Sequence, residues 1–226
     1  MGKTISVAID GPAGAGKSTI ARALAKELGF YYVDTGAIYR TVGYFMSLWG
    51  VAPKDVDGIN RYIDELTVDI QYDADGKQHM IMNGMDVTDD IRTPEISQIA
   101  STISAHKVVR DTLLDMQRDM ARKHNVIMDG RDIGTVVLPK ADVKIFLTAS
   151  PEERARRRYA ELQAKGSTDS YEKVLSDIQQ RDYNDSHRAV APLKQAPDAV
   201  LLDTSDLDIQ GVIEAMKNIV REKTGL

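Results

Sequence analysis

Residues 10–19 read DGPAGAGKST and follow directly on the apolar run TISVAI at 4–9. Glycine, proline and alanine crowd the end of a buried-looking strand, and a lysine and a serine close the stretch. Gly11, Gly16, Lys17 and Ser18 fit the spacing G-x-x-x-x-G-K-[ST], the phosphate-binding loop. The chemistry sets that spacing. Glycines let successive backbone N–H groups turn inward toward phosphate oxygens. The helix that opens near Lys17 adds the positive end of its dipole. Gly11, Pro12, Ala13, Gly14, Ala15, Gly16, Lys17, Ser18 and Thr19 are therefore candidate ATP-binding residues. Lys17 would supply the cation for the β- and γ-phosphates, and the Ser18 hydroxyl a ligand for Mg2+. An accidental glycine-rich turn is the alternative. It does not account for a strand before the match and a helix after it.

Outward from the loop, strand-like runs alternate with helix-length segments. After TISVAI come FYYVD (30–34), NVIMD (125–129), VKIFLT (143–148) and AVLLD (199–203). They are continuously apolar, as strands covered on both faces must be. Ile20, Leu24 and Leu28 recur at helical spacing, with Gly29 placed as a C-terminal cap. Ile38, Val42, Met46 and Trp49 form a second stripe, and Val109, Leu113, Met116 and Met120 a third. Ser150-Pro151-Glu152-Glu153 reads as a capping box that starts a helix over about 151–165. The alternation predicts an α/β fold: a three-layer α/β/α domain around a five-stranded parallel sheet.

One stretch departs from this pattern. Residues 66–88 hold two alternating runs joined by Asp75-Gly76, with a second turn at Asn83-Gly84. That is a small antiparallel meander, so the expected organisation is one unit with core segments 1–62 and 89–226 and an inserted β subdomain at 63–88. DADGKQ (73–78) begins like a calcium loop, but Lys77 and Gln78 stand where such loops need Asp or Asn and Gly. It reads as a hairpin turn. The four histidines lack metal-ligand spacing, and Tyr31 and Tyr32 read as core.

The 226 residues are 42% hydrophobic and 28% charged, enough for a core without staples. No cysteine is present, so disulfides and thiolate metal sites are excluded. No leader-like or membrane-spanning run is visible, and a cytoplasmic protein is expected. The net charge of −5 argues against a chain that coats nucleic acid. No interface stripe stands out, so a monomer is expected.

A triphosphate site needs a use. The Asn/Thr-Lys-x-Asp segment with which GTPases read guanine is absent, whereas three segments offer an acceptor site. DTGAIYR (34–40) follows the second strand and opens a helix, so Asp34, Thr35 and Gly36 sit at the carboxyl edge of the sheet, where ligands of open α/β sheets bind, and Arg40 lies about one helical turn inside. DGRDIGT (129–135) places two acids, Asp129 and Asp132, and Arg131 with two glycines at another strand end, poor core material and good ligand material. RDYNDSHR (181–188) spaces Arg181, Asp185 and Arg188 along one face of a helix, a fork able to grip phosphate and hydroxyl groups. ERARRRYAE (153–161) sets Arg154, Arg157 and Arg158 on one face, beside a small-residue loop at 164–170. In a phosphoryl-transfer enzyme that face can fold over the ATP phosphates and neutralise transition-state charge; a nucleic-acid patch or an ordinary exposed face is the alternative.

Taken together, DGPAGAGKST, DTGAIYR, DGRDIGT and RDYNDSHRAVAPL resemble the bacterial cytidylate kinases, and the resemblance runs over nearly the whole chain. It implies Mg2+-dependent transfer from ATP to CMP or dCMP, with the 66–88 insert enlarging the monophosphate-binding region and the region at about 151–170 forming a short lid. By the same resemblance Arg40, Arg131 and Arg188 would hold the acceptor α-phosphate, and Asp185 and Arg181 the ribose hydroxyls. Ser101, Arg110 and Asp132 would read the cytosine edge. Lys17, Arg131, Arg157, Arg158 and Arg188 would serve the transfer itself. Thr35 stands where many relatives carry serine and keeps the hydroxyl. Two alternatives remain: a kinase for UMP, AMP or shikimate, and a nucleotide-binding regulatory protein whose arginine helix contacts nucleic acid.

Overall fold

The computed structural model describes residues 4–164 and 166–226, so Lys165 of the polar loop lies outside the described residues. In chain order the elements begin with β1 (Ser6–Asp10), α1 (Lys17–Leu28), β2 (Tyr31–Asp34), α2 (Thr35–Leu48) and α3 (Val56–Tyr62). The insert follows as β3 (Val68–Tyr72), β4 (Gln78–Met82) and β5 (Met85–Asp86). The chain continues with α4 (Pro94–Ile103), α5 (Lys107–Lys123), β6 (Val126–Gly130) and β7 (Val143–Thr148). It ends with α6 (Pro151–Ala164), α7 (Tyr171–His187), β8 (Val200–Asp203) and α8 (Ile209–Thr224).

The main sheet runs β2-β6-β1-β7-β8, every pair parallel, which matches the five expected strands and their direction. Its side chains alternate between two cores. Val7, Ile9, Ile127, Val143, Ile145 and Leu147 pack under α1 and α8, with Leu24, Val212 and Met216. Ala8, Val33 and Met128 face the other way, onto Ile38, Val42, Met46, Val109 and Leu113 of α2 and α5. Burying each such aliphatic side chain contributes about 1.5–3 kcal/mol, so the sheet is held from both faces. The three-stranded antiparallel sheet β3-β4-β5 adds Met80 and Met82 to the second core. Asn83 and Gly84 turn its last corner at φ 48° and 82°, the double positive φ that an Asn-Gly hairpin supplies.

Four local expectations need correction. Trp49 is 52% exposed, because α2 has outrun the core by its last turn; the indole stacks on Tyr62 at 4.9 Å instead. Tyr31 is also exposed, since β2 is the edge strand, while Tyr32 points inward and is buried. The box at Ser150 is only half formed: its hydroxyl accepts from Glu153 N–H at 3.2 Å, but the Glu153 carboxylate turns to Arg156 and Arg157. Arg188 lies just past α7, in extended backbone, rather than on its face.

Between β6 and β7 the chain makes a wide π-type turn, with Val137 N–H on Asp132 O at 3.2 Å and Leu138 N–H on Ile133 O at 2.7 Å. Buried Asp10 anchors its start by accepting from Ile133 and Gly134 N–H, both at 2.7 Å. Arg118 of α5 takes the Val136 and Val137 carbonyls at its end. Irregular backbone so fully partnered is a built feature, and such turns gather at functional sites. Among the described residues no helix is long and apolar enough to cross a membrane.

Candidate active site

The site is assembled at the carboxyl ends of β1, β2 and β6. Gly11 leaves β1 at φ 152°, and a Cβ there would stand 1.9 Å from the Leu147 carbonyl oxygen. Only glycine lets the loop pass this close to β7. Gly16 caps α1 at φ 84°, in the left-handed region, and turns the chain into the helix. The buried Lys17 ammonium donates to the Pro12 carbonyl at 2.7 Å. Burial holds its pKa well below the usual lysine range and Arg131 adds to this, against the pull of Asp129 and Asp10.

Ser18 and Asp129 meet here, although they are 111 residues apart: the serine hydroxyl donates to one carboxylate oxygen at 2.8 Å. Tyr32 donates to the other at 2.9 Å. Burial, with Asp34 nearby, raises the Asp129 pKa from 3.8 to about 6, and Lys17 works in the opposite direction. One hydroxyl and one buried carboxylate are hard oxygen donors. They suit Mg2+, which keeps waters and substrate phosphates in its shell rather than needing a protein cage. No cluster of three metal-ligating side chains occurs among the described residues.

Across the crevice, Asp34 caps α2 by accepting from Ala37 N–H at 2.8 Å and pairs with Arg40 at 3.0 Å. Thr35 donates to the Asp129 carbonyl at 2.7 Å, which ties α2 to β6. Arg131 donates to Asp185 at 2.8 Å. Burial pushes the Asp185 carboxyl upward, but Arg131 and Arg181 outweigh it and leave the pKa below the ordinary value. Burial, reinforced by Arg131, lowers the Arg181 guanidinium from the usual arginine range to about 10. The Nε atoms of Arg40 and Arg181 are buried with no hydrogen-bond partner among the described residues.

Deeper in, Asp132 receives two arginines. Arg110 donates to Oδ2, and Arg188 to Oδ1 at 3.2 Å. All three side chains are buried. Burial raises the Asp132 pKa against the pull of Arg110, Arg188 and Arg131. Arg110 also donates to Ser104 O at 3.2 Å, and Arg188 to Ser104 Oγ at 3.3 Å. The Arg110 guanidinium lies over the Tyr39 ring at 5.5 Å.

One cavity of about 870 Å3 joins these parts, from Ala13–Thr19 at one end to Ser101 and Arg110 at the other. Thr35, Arg40, Arg131, Asp132, Arg181, Asp185, Arg188 and Arg157 also line it. Gly11 and Pro12 do not; they shape the loop from behind. Arg158 is outside the lining and pairs with Glu161 at 3.0 Å. Arg154 departs furthest from the exposed cationic face that the spacing suggested. It is 3% exposed and ties Ala149 O, Ala13 O and Asp182 together, a strut between the glycine loop and α6–α7.

Sequence reasoning placed Asp34 and Asp129 at ligand-binding strand ends but gave neither a role, and it missed Tyr39 together with Leu207 and the adjoining Ile209 at the start of α8. For Asp129 the signal was present: it closes the apolar run NVIM at a strand end. The Leu207 loop carries no comparable pattern.

A family model for cytidylate kinase matches residues 7–222. The chain belongs to the cytidylate kinase family. A cytidylate kinase of Exiguobacterium sp. is 48% identical over 98% of this chain and 99% of its own length. That of Geobacter sulfurreducens is 51% identical over 96% and 93%. Among solved structures, an uncharacterized protein from Eubacterium ventriosum aligns over 95% of this chain and 97% of its own, with a TM-score of 0.52 at 11% identity. That likeness bears on the fold alone. Each of the four motifs read from the sequence contributes to the cavity of this cytidylate kinase family member.

Proposed function

We infer that the protein transfers the γ-phosphoryl group of ATP to CMP or dCMP. The observation that carries this reading is the pairing of two unlike halves in one cavity: a phosphate loop at one end and the buried Arg110–Asp132–Arg188 cluster at the other. Membership of the cytidylate kinase family and the names of its relatives support it.

On this reading the ATP phosphates lie in the loop of residues 11–19, with Lys17 neutralising the β- and γ-oxygens. Leu207 and Ile209 offer the adenine an apolar surface. Ser18 and Asp129 would hold Mg2+, which would supply charge neutralisation to the ATP phosphates. Arg40, Arg131 and Arg188 grip the acceptor phosphate, and the unpartnered Nε atoms of Arg40 and Arg181 are donors that suit phosphate and hydroxyl oxygens. Asp185 and Arg181 face the ribose. Ser101, Arg110 and Asp132 read the base: a carboxylate accepts from the cytosine amino group, where uracil presents an acceptor. Catalysis then rests on positioning and charge, with no covalent intermediate.

The segment 151–170 acts as the lid. Ala155 of α6 packs with Val174 and Ile178 of α7 in a small core separate from the two cores of the sheet. Arg157 stands ready on Glu153 and on Thr204 O, at 2.8 and 2.7 Å. Arg158, whose charge is felt at Arg181, is carried inward by closure. Residues 63–88 serve as the inserted part of the acceptor region, and the enzyme works as a cytoplasmic monomer without nucleic-acid or membrane partners.

The test is ADP release from Mg-ATP with CMP, dCMP, UMP, AMP and shikimate in turn. Strong stimulation by CMP and dCMP with weak UMP is expected. Equal CMP and UMP rates would overturn the base-reading assignment. No stimulation by any acceptor, with salt-sensitive oligonucleotide binding, would replace the kinase by a regulatory nucleotide-binding protein.

A further inference from the structure

The insert β3–β5 stands outside the catalytic cavity, yet two of its side chains reach the main sheet. Both bind the free edge of β2. An edge strand presents unpaired backbone groups that a fold must cover, and here side chains do so. Tyr72 donates to Tyr32 O at 2.9 Å. Gln78 accepts from Asp34 N–H at 2.7 Å and turns its amide nitrogen toward Asp34 O at 3.4 Å and Met80 Sδ at 3.0 Å. The Gln78 side chain is therefore used at both ends, and the residue is only 7% exposed.

What distinguishes Gln78 from Tyr72 is the residue it holds. Each oxygen of the Asp34 carboxylate has a partner, one on Ala37 N–H at the start of α2 and the other on Arg40. Asp34 is also the wall between the catalytic cavity and a separate one of about 350 Å3, which Gln78 lines from the far side. A continuous path thus runs from the Gln78 amide through the Asp34 backbone and carboxylate to the Arg40 guanidinium.

We propose that Gln78 is a positioning residue for the acceptor site: through Asp34 it sets the orientation of Arg40, so that the inserted sheet tunes acceptor affinity without touching the acceptor. This rests on the reading of Arg40 as an acceptor-phosphate ligand. Gln78→Met keeps the volume and removes the partner of Asp34 N–H. A lost hydrogen bond that leaves a buried donor unpaired corresponds to about 5- to 150-fold, and a rise within that range is expected in KM for CMP and in the calorimetric Kd for CMP. KM for ATP should stay within about twofold.

Tyr72→Phe is the control. It removes a hydrogen bond between the same sheet and the same strand, two residues from Asp34. It should lower the melting temperature as Gln78→Met does, yet leave KM for CMP within about twofold. Gln78→Asn, which keeps the amide but draws it back by one methylene, stands in if the methionine variant does not fold. An unchanged KM and Kd for CMP in the Gln78 variant would overturn the proposal. So would an equal rise in Tyr72→Phe, which would make the effect one of sheet docking. A wild-type protein that neither binds CMP nor responds to it overturns the acceptor reading, and this proposal with it.

Discussion

Asp132→Asn is the sharpest perturbation of the site, because it changes one charge and almost no volume. Asp132 is 4% exposed and shares its two oxygens between Arg110 and Arg188. An amide cannot serve both guanidinium groups, since its NH2 group would face one of them. Breaking a buried ion pair from one side costs about 3–5 kcal/mol. For a chain of this length, a melting temperature lower by about 6–20 °C is expected. The functional effect differs in kind. If Asp132 accepts from the cytosine amino group, its loss removes about 1–3 kcal/mol of base discrimination. The ratio of kcat/KM for CMP to that for UMP should then fall about 5- to 150-fold. Coupled ADP-release rates at 25 °C, with both acceptors titrated at saturating Mg-ATP, measure this ratio directly. A ratio within twofold of wild type would refute the reasoning. A KM for ATP that rises as much as that for CMP would refute it too, because the lesion would then be general.

Lys17→Met should lower kcat by at least about 100-fold, the scale for removing one transition-state charge donor, while calorimetry with CMP alone shows little change. Gly11→Ala should prevent stable folding rather than merely impair catalysis, because its Cβ would stand 1.9 Å from the Leu147 carbonyl oxygen; cooperative melting at wild-type temperature would contradict this. Asp129 has a folded pKa raised from 3.8 to about 6, so its protonated form is favoured by folding. Its contribution is present below about pH 4 and is lost as pH climbs through 6, a change of about 3 kcal/mol. Denaturant midpoints of the ligand-free protein should fall relative to Asp129→Asn across that window; a pH-independent difference would refute the shift.

Much of the architecture was legible for physical reasons that can be named. The central strands β1, β6 and β7 read as continuous apolar runs because both faces of the sheet are covered there, while the same kind of run at the edge strand β8 leaves Leu201 55% exposed; the bounds of all five hold to within two residues. Asn83-Gly84 marked one corner of the insert because a two-residue hairpin needs positive φ at both positions, whereas Asp75-Gly76 lies in a five-residue loop, 73–77, in which Gly76 takes the positive φ. Periodicity misled where it outran the core, as at Trp49, and where an edge strand left one tyrosine in solvent. Spacing along a helix could not separate Arg154 from Arg157. One is buried against the glycine loop and the other lines the cavity, a difference made by contacts more than a hundred residues apart. Asp129 joins Ser18 over a comparable separation. The strand end pointed to ligand chemistry, but the pairing itself exists only in the fold.

The central claim is transfer to cytidine monophosphate, and 31P NMR of the protein with Mg-ATP and CMP tests it most directly. The account predicts that the β-phosphate signals of CDP and ADP grow together, in equal amounts, while the γ-phosphate signal of ATP declines. Loss of the γ-phosphate signal into inorganic phosphate alone, with CMP unchanged, would contradict it.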